Sequence, residues 1–137
     1  MRPQTIAVVA SVLAGLGVAL GAFGAHALEA AVAEWELTAR QQGERLATWE
    51  VAVRYQMYHA LALFVVAWLR RGAAPRPALA AAWLLIVGIA LFSGCLYLYV
   101  LTGVKWLGAI VPLGGTAFLL AWALIAVAAW RSRRHSG

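Results

Sequence analysis

The fold is decided by an uncharged apolar stretch at residues 78–101, ALAAAWLLIVGIALFSGCLYLYVL. A helix rises about 1.5 Å per residue, so a helix of this length spans roughly 30 Å of membrane hydrocarbon. Three further apolar stretches, at residues 6–28, 51–69 and 107–130, are long enough to do the same. The sequence therefore predicts four membrane-spanning helices joined by short connections.

The composition leaves no room for a separate soluble domain. Of the 137 residues, 64% are hydrophobic and 12% are charged, and the mean hydropathy is +0.82. Soluble domains carry about 25% charged residues, so lipid must cover much of this surface. We predict one all-α domain over residues 1–137, an integral membrane four-helix bundle. The net charge of +6 does not indicate nucleic-acid binding, because the basic residues flank the apolar stretches, where membrane insertion places them.

The distribution of charge predicts the orientation of the bundle. All five acidic residues lie in the connection between the first two spans, at residues 29–50. In a four-span topology the opposite side carries seven arginines: Arg2, Arg70, Arg71, Arg76, Arg131, Arg133 and Arg134. The positive-inside rule therefore places both termini in the cytoplasm. Arg2 followed by an apolar stretch also imitates a secretory signal peptide, but the stretch is longer than a usual signal core, so we expect it to remain as a span.

The long connection between the first two spans predicts a second structural feature. It mixes charged residues with apolar ones, namely Trp35, Leu37, Leu46 and Trp49. We interpret it as an amphipathic helical segment on the outer membrane surface. We expect Gly43 to break this segment and a new helix to run from near Glu44 into the second span. Glu50 and Arg54 are four residues apart on that helix and are expected to pair.

Tryptophan positions agree with this topology. Trp68, Trp83 and Trp130 lie near the predicted cytoplasmic ends of the spans, and Trp49 and Trp106 near the outer ends. Tryptophan is enriched at both membrane surfaces, so the pattern predicts an interfacial aromatic belt.

Small residues and a proline predict how the spans pack. Gly17 and Gly21 form a G-x-x-x-G pair in the first span. Lipid gives helices no hydrophobic reason to associate, so this pair predicts close packing within the bundle, with homodimerisation as the alternative. Pro112 removes a backbone donor near the start of the fourth span. We expect it either to kink the helix or to be tolerated because it lies so near the start.

Polar residues inside the spans gather in the predicted outer half, and they predict one functional layer. They are His26, Gln56, His59, Ser93, Tyr97 and Thr116. One interpretation is an interhelical hydrogen-bond network. A second is a binding site for a lipid headgroup, a quinone or another small amphiphile, since apolar walls with a few convergent polar groups suit such a ligand. The third is catalysis, with His59 or His26 as general base and Ser93 or Cys95 as nucleophile.

Cofactor chemistry is not favoured by this pattern. Two histidines can ligate haem, but His26 and His59 differ in depth by about 14 Å on helices of ordinary rise. The chain offers no short ligand spacing typical of zinc. Catalysis also lacks an orienting carboxylate, because only Glu50 lies near His59 in sequence. We therefore predict no cofactor and no metal.

Four segments resemble a known family. They are GAFGAHAL (residues 21–28), YQMYHALAL (55–63), FSGCLYLYVLTG (92–103) and LGAIVPLGG (107–115). They resemble the domain of unknown function 423 family of small integral membrane proteins. The resemblance implies four spans and a bacterial inner-membrane location, and it implies no particular reaction. Cys95 stands where the family commonly has serine, which argues against an essential thiol. The motif residues that the resemblance marks are His26, Tyr55, Gln56, His59, Ser93, Gly94, Tyr97, Gly103, Pro112 and Gly115.

The sequence thus predicts a non-enzymatic membrane protein that binds a lipid or small amphiphile, or serves as a subunit of a membrane complex or a homo-oligomer. A small intramembrane enzyme using His59 and Ser93 is the alternative. The predicted ligand-binding residues are His26, Tyr55, Gln56, His59, Ser93, Tyr97 and Thr116. The predicted structural residues are Gly17, Gly21, Gly94, Gly103, Pro112 and Gly115.

Overall fold

The architecture was obtained as a computed structural model that describes residues 1–71 and 75–133. The described residues do not include residues 72–74, which belong to the predicted cytoplasmic connection, or Arg134. Within the described residues there is no strand. Four helices are long and apolar enough to cross a membrane: Pro3–Ala33, Ala39–Leu69, Arg76–Thr102 and Leu107–Ser132. The prediction of an all-α, four-span bundle is confirmed.

Two of the four spans contain a short π-helical segment. The elements in chain order are α1 (Pro3–Phe23), a first π segment (Gly24–Leu28), α2 (Glu29–Ala33), α3 (Ala39–Leu69), α4 (Pro75–Ile89), a second π segment (Ala90–Gly94), α5 (Cys95–Thr102) and α6 (Leu107–Arg133). We call the end of the bundle that carries the 29–50 connection the acidic end. The opposite end, which carries Arg70 and Arg131, is the basic end.

The start of α3 corrects the prediction for the connection. The helix begins at Ala39, because Thr38 and Gln41 form a reciprocal capping box. Gly43 lies inside α3, so the predicted break at Gly43 is wrong. A glycine costs only about 1 kcal/mol in a helix relative to alanine, and the cap one turn earlier outweighs it. The helix does run without interruption into the second span, and Glu50 and Arg54 form an ion pair, as predicted.

The long α3 is the central element of the bundle. It packs against α1 on one side and against α4, α5 and α6 on the other. Among the described residues, α1 has no comparable contact with α4, α5 or α6. The first span is therefore held in place by a single neighbouring helix.

Two side chains donate to main-chain carbonyls in and next to α1, that of Trp49 within α3 and that of Arg70, its C-cap. The indole Nε1 of Trp49 donates to the carbonyl of Leu20 at 2.9 Å, and Arg70 Nη2 donates to the carbonyl of Met1 at 2.8 Å. The close approach is possible because Gly17 and Gly21 face α3. A Cβ on Gly17 would lie 3.3 Å from the Met57 side chain, and one on Gly21 3.4 Å from that of Val53.

Trp49 departs from the predicted aromatic belt. Its side chain is buried, with 4% of its surface exposed, whereas the other four predicted belt residues are exposed. Leu28, Val32 and Val100 surround it in a small apolar cluster at the acidic end. The prediction of an interfacial Trp49 is wrong, because the Leu20 carbonyl gives its indole N–H a partner inside the bundle.

A second close helix contact joins the third and fourth spans. A Cβ added to Gly114 of α6 would lie 2.5 Å from the backbone nitrogen of Phe92 and 2.9 Å from its Cα. Phe92 belongs to the second π segment, so the widened backbone there lies directly against α6. The contact requires a residue without a side chain at position 114.

Candidate functional site

Gln56 is the centre of the polar layer that the sequence predicts. It is buried, with 4% of its surface exposed. Its Nε2 donates to the carbonyl of Leu13 at 2.8 Å, and its Oε1 accepts from the Tyr97 hydroxyl at 3.1 Å. One side chain thus joins the first, second and third spans. These bonds satisfy a buried amide, which would otherwise be costly in an apolar interior.

Replacing Gln56 by leucine tests how much this layer contributes to stability. The change removes both interhelical bonds and leaves the Tyr97 hydroxyl without its partner. Each such bond is worth about 0.6–2 kcal/mol in membrane proteins, so we expect Q56L to lower the free energy of unfolding by about 1–2 kcal/mol. Thermal unfolding in detergent micelles measures this loss. The exposed Gln4 offers a matched control, and equal stability of Q56L and Q4L would contradict the assignment.

His59 lies in an aromatic cluster rather than in a catalytic arrangement. Its Nδ1 is 2.7 Å from the carbonyl of Tyr55, which identifies Nδ1 as the ring nitrogen that donates. The imidazole stacks on Phe118 with the ring centroids 3.4 Å apart, and the edge of Trp122 lies nearby. Tyr55 stacks in turn on Phe92 at 4.6 Å. The ring of His59 is therefore held in place by its bond to the Tyr55 carbonyl and by stacking on Phe118.

Ser93 is fully buried in the second π segment. Its hydroxyl has no hydrogen-bond partner in the described part of the chain. The nucleophile–base hydrogen bond that serine catalysis needs is therefore not formed between Ser93 and His59. No group of three histidine, cysteine or acidic side chains suited to a metal ion occurs in residues 1–71 and 75–133.

Among the described residues, the side chain of Gln56 is not hydrogen-bonded to His26, Thr116 or Tyr55, the remaining predicted ligand-binding residues. His26 is exposed within the first π segment. Thr116 is exposed on α6, where its hydroxyl donates to the carbonyl of Pro112 at 2.9 Å. Tyr55 is 39% exposed and belongs to the His59 cluster. The structure thus joins Gln56 with Tyr97 and Tyr55 with His59, and it separates His26 and Thr116 from both.

The predicted structural residues differ in what surrounds them. Gly103 ends α5 with a left-handed φ of 73°, a conformation that favours glycine. A Cβ on Gly115 would meet open space, so the close contact in this segment belongs to Gly114 instead. A Cβ on Gly94 would lie 3.9 Å from the Ile89 carbonyl oxygen, an ordinary van der Waals contact. Pro112 is exposed inside α6, which continues through it.

A groove at the acidic end is the feature that the sequence did not predict. It encloses about 470 Å³ between the first span and α3. Its lining residues are Gly21, Gly24, Ala25, Glu29, Leu46, Ala47, Trp49, Glu50 and Val53. The walls are mainly apolar, and two exposed carboxylates, Glu29 and Glu50, belong to the lining. We call this feature the acidic-end groove.

Trp49 forms one wall of the acidic-end groove and links it to the polar layer. Its ring lies 4.6 Å from that of Tyr97, which bonds Gln56. A Cβ on Gly24 would lie 2.5 Å from the indole, so glycine is needed where this wall meets the first π segment. The feature of the sequence that could have indicated the groove is the group of small residues Gly21, Gly24 and Ala25. The antiparallel pairing that sets them opposite Ala47 is a tertiary feature.

Comparisons with known proteins agree with the membrane architecture. Residues 20–115 match the family model described as "Protein of unknown function (DUF423)". The chain is 46% identical over 115 residues to the UPF0382 membrane protein YwdK of Bacillus subtilis, covering 83% of this chain and 86% of that protein. It is 38% identical over 116 residues to a UPF0382 membrane protein of Staphylococcus aureus, covering 85% and 87%. No solved structure matches the chain.

Proposed function

Because the chain belongs to the DUF423 family of membrane proteins, we propose that it binds a lipid or another small amphiphile in the acidic-end groove. The observation that carries this proposal is the groove itself. Its volume of about 470 Å³ lies within the range of about 300–1,000 Å³ that is usual for small-molecule sites. Apolar walls with a few polar groups at one end suit a molecule with a hydrocarbon chain and a polar head.

The proposal includes an orientation. Arginines concentrate at the basic end, and every acidic residue lies at the acidic end. From the positive-inside rule we infer that the basic end and both termini face the cytoplasm. The bacterial membrane proteins that the chain resembles favour a location in the bacterial inner membrane. The acidic-end groove then opens toward the outer leaflet, from which a lipid can enter sideways.

The polar layer supports a structural role for most of the residues that the sequence singled out. Gln56 uses both ends of its amide on protein partners, and the His59 ring is enclosed by aromatic side chains. Neither residue is in the lining of the acidic-end groove. The proposed ligand site is therefore next to the polar layer, with Trp49 between the two. The enzymatic alternative has less support, because Ser93 and His59 form no hydrogen bond.

A specific observation favours a second function, that of a subunit in a membrane complex. Within the described residues α1 packs against α3 and makes no comparable contact with α4, α5 or α6. Its outward face carries small exposed residues, including Ser11, Gly15 and Ala19. Faces of this kind let another helix approach closely in a membrane.

Filling the groove tests the lipid-binding proposal. Ala25 and Ala47 are exposed and line the groove, so A25F/A47F places two rings in the space that an acyl chain would occupy. We expect the wild type to retain a defined lipid through gentle purification and the filled variant to lose most of it. Native mass spectrometry with lipid analysis measures the difference.

The matched control for groove filling is A19F/A30F. Both alanines are exposed and lie outside the groove lining. The control should retain lipid like the wild type. Equal lipid retention by the wild type and the filled variant would refute the groove as the binding site. Loss of a co-purifying protein from the A19F/A30F control alone would favour the complex-subunit function.

A further inference from the structure

We propose that the occupant of the acidic-end groove is a phospholipid with a primary ammonium headgroup, such as phosphatidylethanolamine. This inference rests on the proposed function and adds the headgroup class. It comes from the charges at the groove. The lining contributes two carboxylates and no basic side chain. An apolar groove edged only by negative charge complements a ligand whose polar end carries a positive charge.

The two carboxylates differ in how far the protein compensates them. Glu50 pairs with Arg54, one turn further along α3. Glu29 has no ion-pair partner within residues 1–71 and 75–133. Glu29 is therefore free to bind a cation, whereas Glu50 is already paired with the Arg54 guanidinium. The groove thus has one uncompensated negative charge, on Glu29, and one ion pair without net charge, Glu50 with Arg54.

A phosphoethanolamine head matches this arrangement group by group. Its ammonium has three N–H donors and suits Glu29 together with Glu50. Arg54 is outside the groove lining, but it pairs with the lining residue Glu50, so its guanidinium offers N–H donors to the phosphate. A choline head has no N–H to donate. A glycerol head leaves the lipid with a net negative charge facing the two carboxylates. The groove is therefore expected to discriminate among lipids with identical acyl chains.

A competition experiment tests this selectivity. The full-length protein is exchanged into an equimolar mixture of phosphatidylethanolamine, phosphatidylcholine and phosphatidylglycerol with identical acyl chains. Native mass spectrometry then measures the ratio of bound lipids. We expect the wild type to prefer phosphatidylethanolamine about fivefold, as partly exposed charge-assisted hydrogen bonds allow. We expect E29Q/E50Q to lose this preference while it still binds lipid.

The control variant is E34Q/E36Q, which neutralises two exposed carboxylates outside the groove lining and should keep the wild-type ratio. A wild type without headgroup preference, or a preference that survives in E29Q/E50Q, would overturn the inference while leaving lipid binding intact. Undiminished lipid in A25F/A47F would instead overturn the proposed function. If E29Q/E50Q unfolds, the single variant E29Q is measured instead. Glu29 forms no ion pair with the described residues, so this change removes a carboxylate without breaking an ion pair. An unchanged lipid ratio in E29Q would then overturn the inference.

Discussion

Gly114→Ala is expected to lower the free energy of unfolding by about 2–3 kcal/mol, the usual cost of overpacking a tight interior contact. The new methyl group would lie 2.5 Å from the Phe92 nitrogen, 2.8 Å from its Cβ and 2.9 Å from its Cα. Two of these atoms are backbone, so no side-chain rotation relieves the contact. The α6 helix and the second π segment would have to move apart, which also loosens the neighbouring Phe118 and His59 stack.

Gly115→Ala is the matched control for this prediction, because a Cβ there meets nothing within 4 Å. Alanine is the better helix former by about 1 kcal/mol, so G115A should be neutral or slightly stabilising. Thermal unfolding of the two variants in the same detergent gives the comparison. A G114A protein as stable as G115A would show that the third and fourth spans do not approach each other in this way.

Arg45→Met is expected to destabilise the acidic end by about 2 kcal/mol, as the sum of charge-assisted hydrogen bonds and a cation–π contact. Arg45 Nη1 donates to the carbonyls of Tyr99 at 2.5 Å and Val100 at 2.6 Å, and its guanidinium lies 4.8 Å from the centre of the Tyr99 ring. These carbonyls are in the last turn of α5, and that of Tyr99 also accepts from the Gly103 backbone N–H at 2.9 Å. A positive charge at a helix C-terminus is also favourable.

Methionine keeps the aliphatic part of the Arg45 side chain and removes only the donors and the charge. The same change at Arg40 is the control, because Arg40 is exposed and its ion pair within the described part of the chain is with Glu44 alone. Exposed pairs of this spacing contribute about 0.3–0.5 kcal/mol, so R40M should be nearly neutral. Faster hydrogen exchange in residues 95–106 of R45M, and not of R40M, would locate the effect. Equal exchange in both variants would rule out this role for Arg45.

Much of the membrane architecture could be predicted from the sequence, because it depends on the hydrophobicity and charge of each segment taken alone. Four apolar stretches predict four spans, and the described helices contain all four, with the second beginning twelve residues earlier than its apolar stretch. The pairing of Glu50 with Arg54 was predictable for the same reason, since residues four apart lie on one face of any helix. The start of α3 was missed by five residues because the Thr38–Gln41 cap was not recognised, although both residues are visible in the chain.

The candidate site was less accessible because it depends on which helices are neighbours. Gln56 and Tyr97 were predicted to share a layer, and they are hydrogen-bonded. Thr116 shares their approximate depth, but it is exposed on its helix. Depth follows from counting residues along a helix, whereas the rotation of each helix about its axis is set by packing. The burial of Trp49 and the opening of the acidic-end groove depend on that rotation.

The class of protein, the number of spans and the separation of acidic from basic residues at opposite ends could all be predicted from the amino-acid sequence. These properties follow from hydrophobicity and charge read along the chain. Three features depend on how the helices pack together: the central position of α3, the close contact made by Gly114 rather than Gly115, and the groove that Glu29 and Glu50 edge beside Trp49. The physical reason is that close contacts and cavities arise between helices, where shapes must fit to within an ångström, and no single segment carries that information.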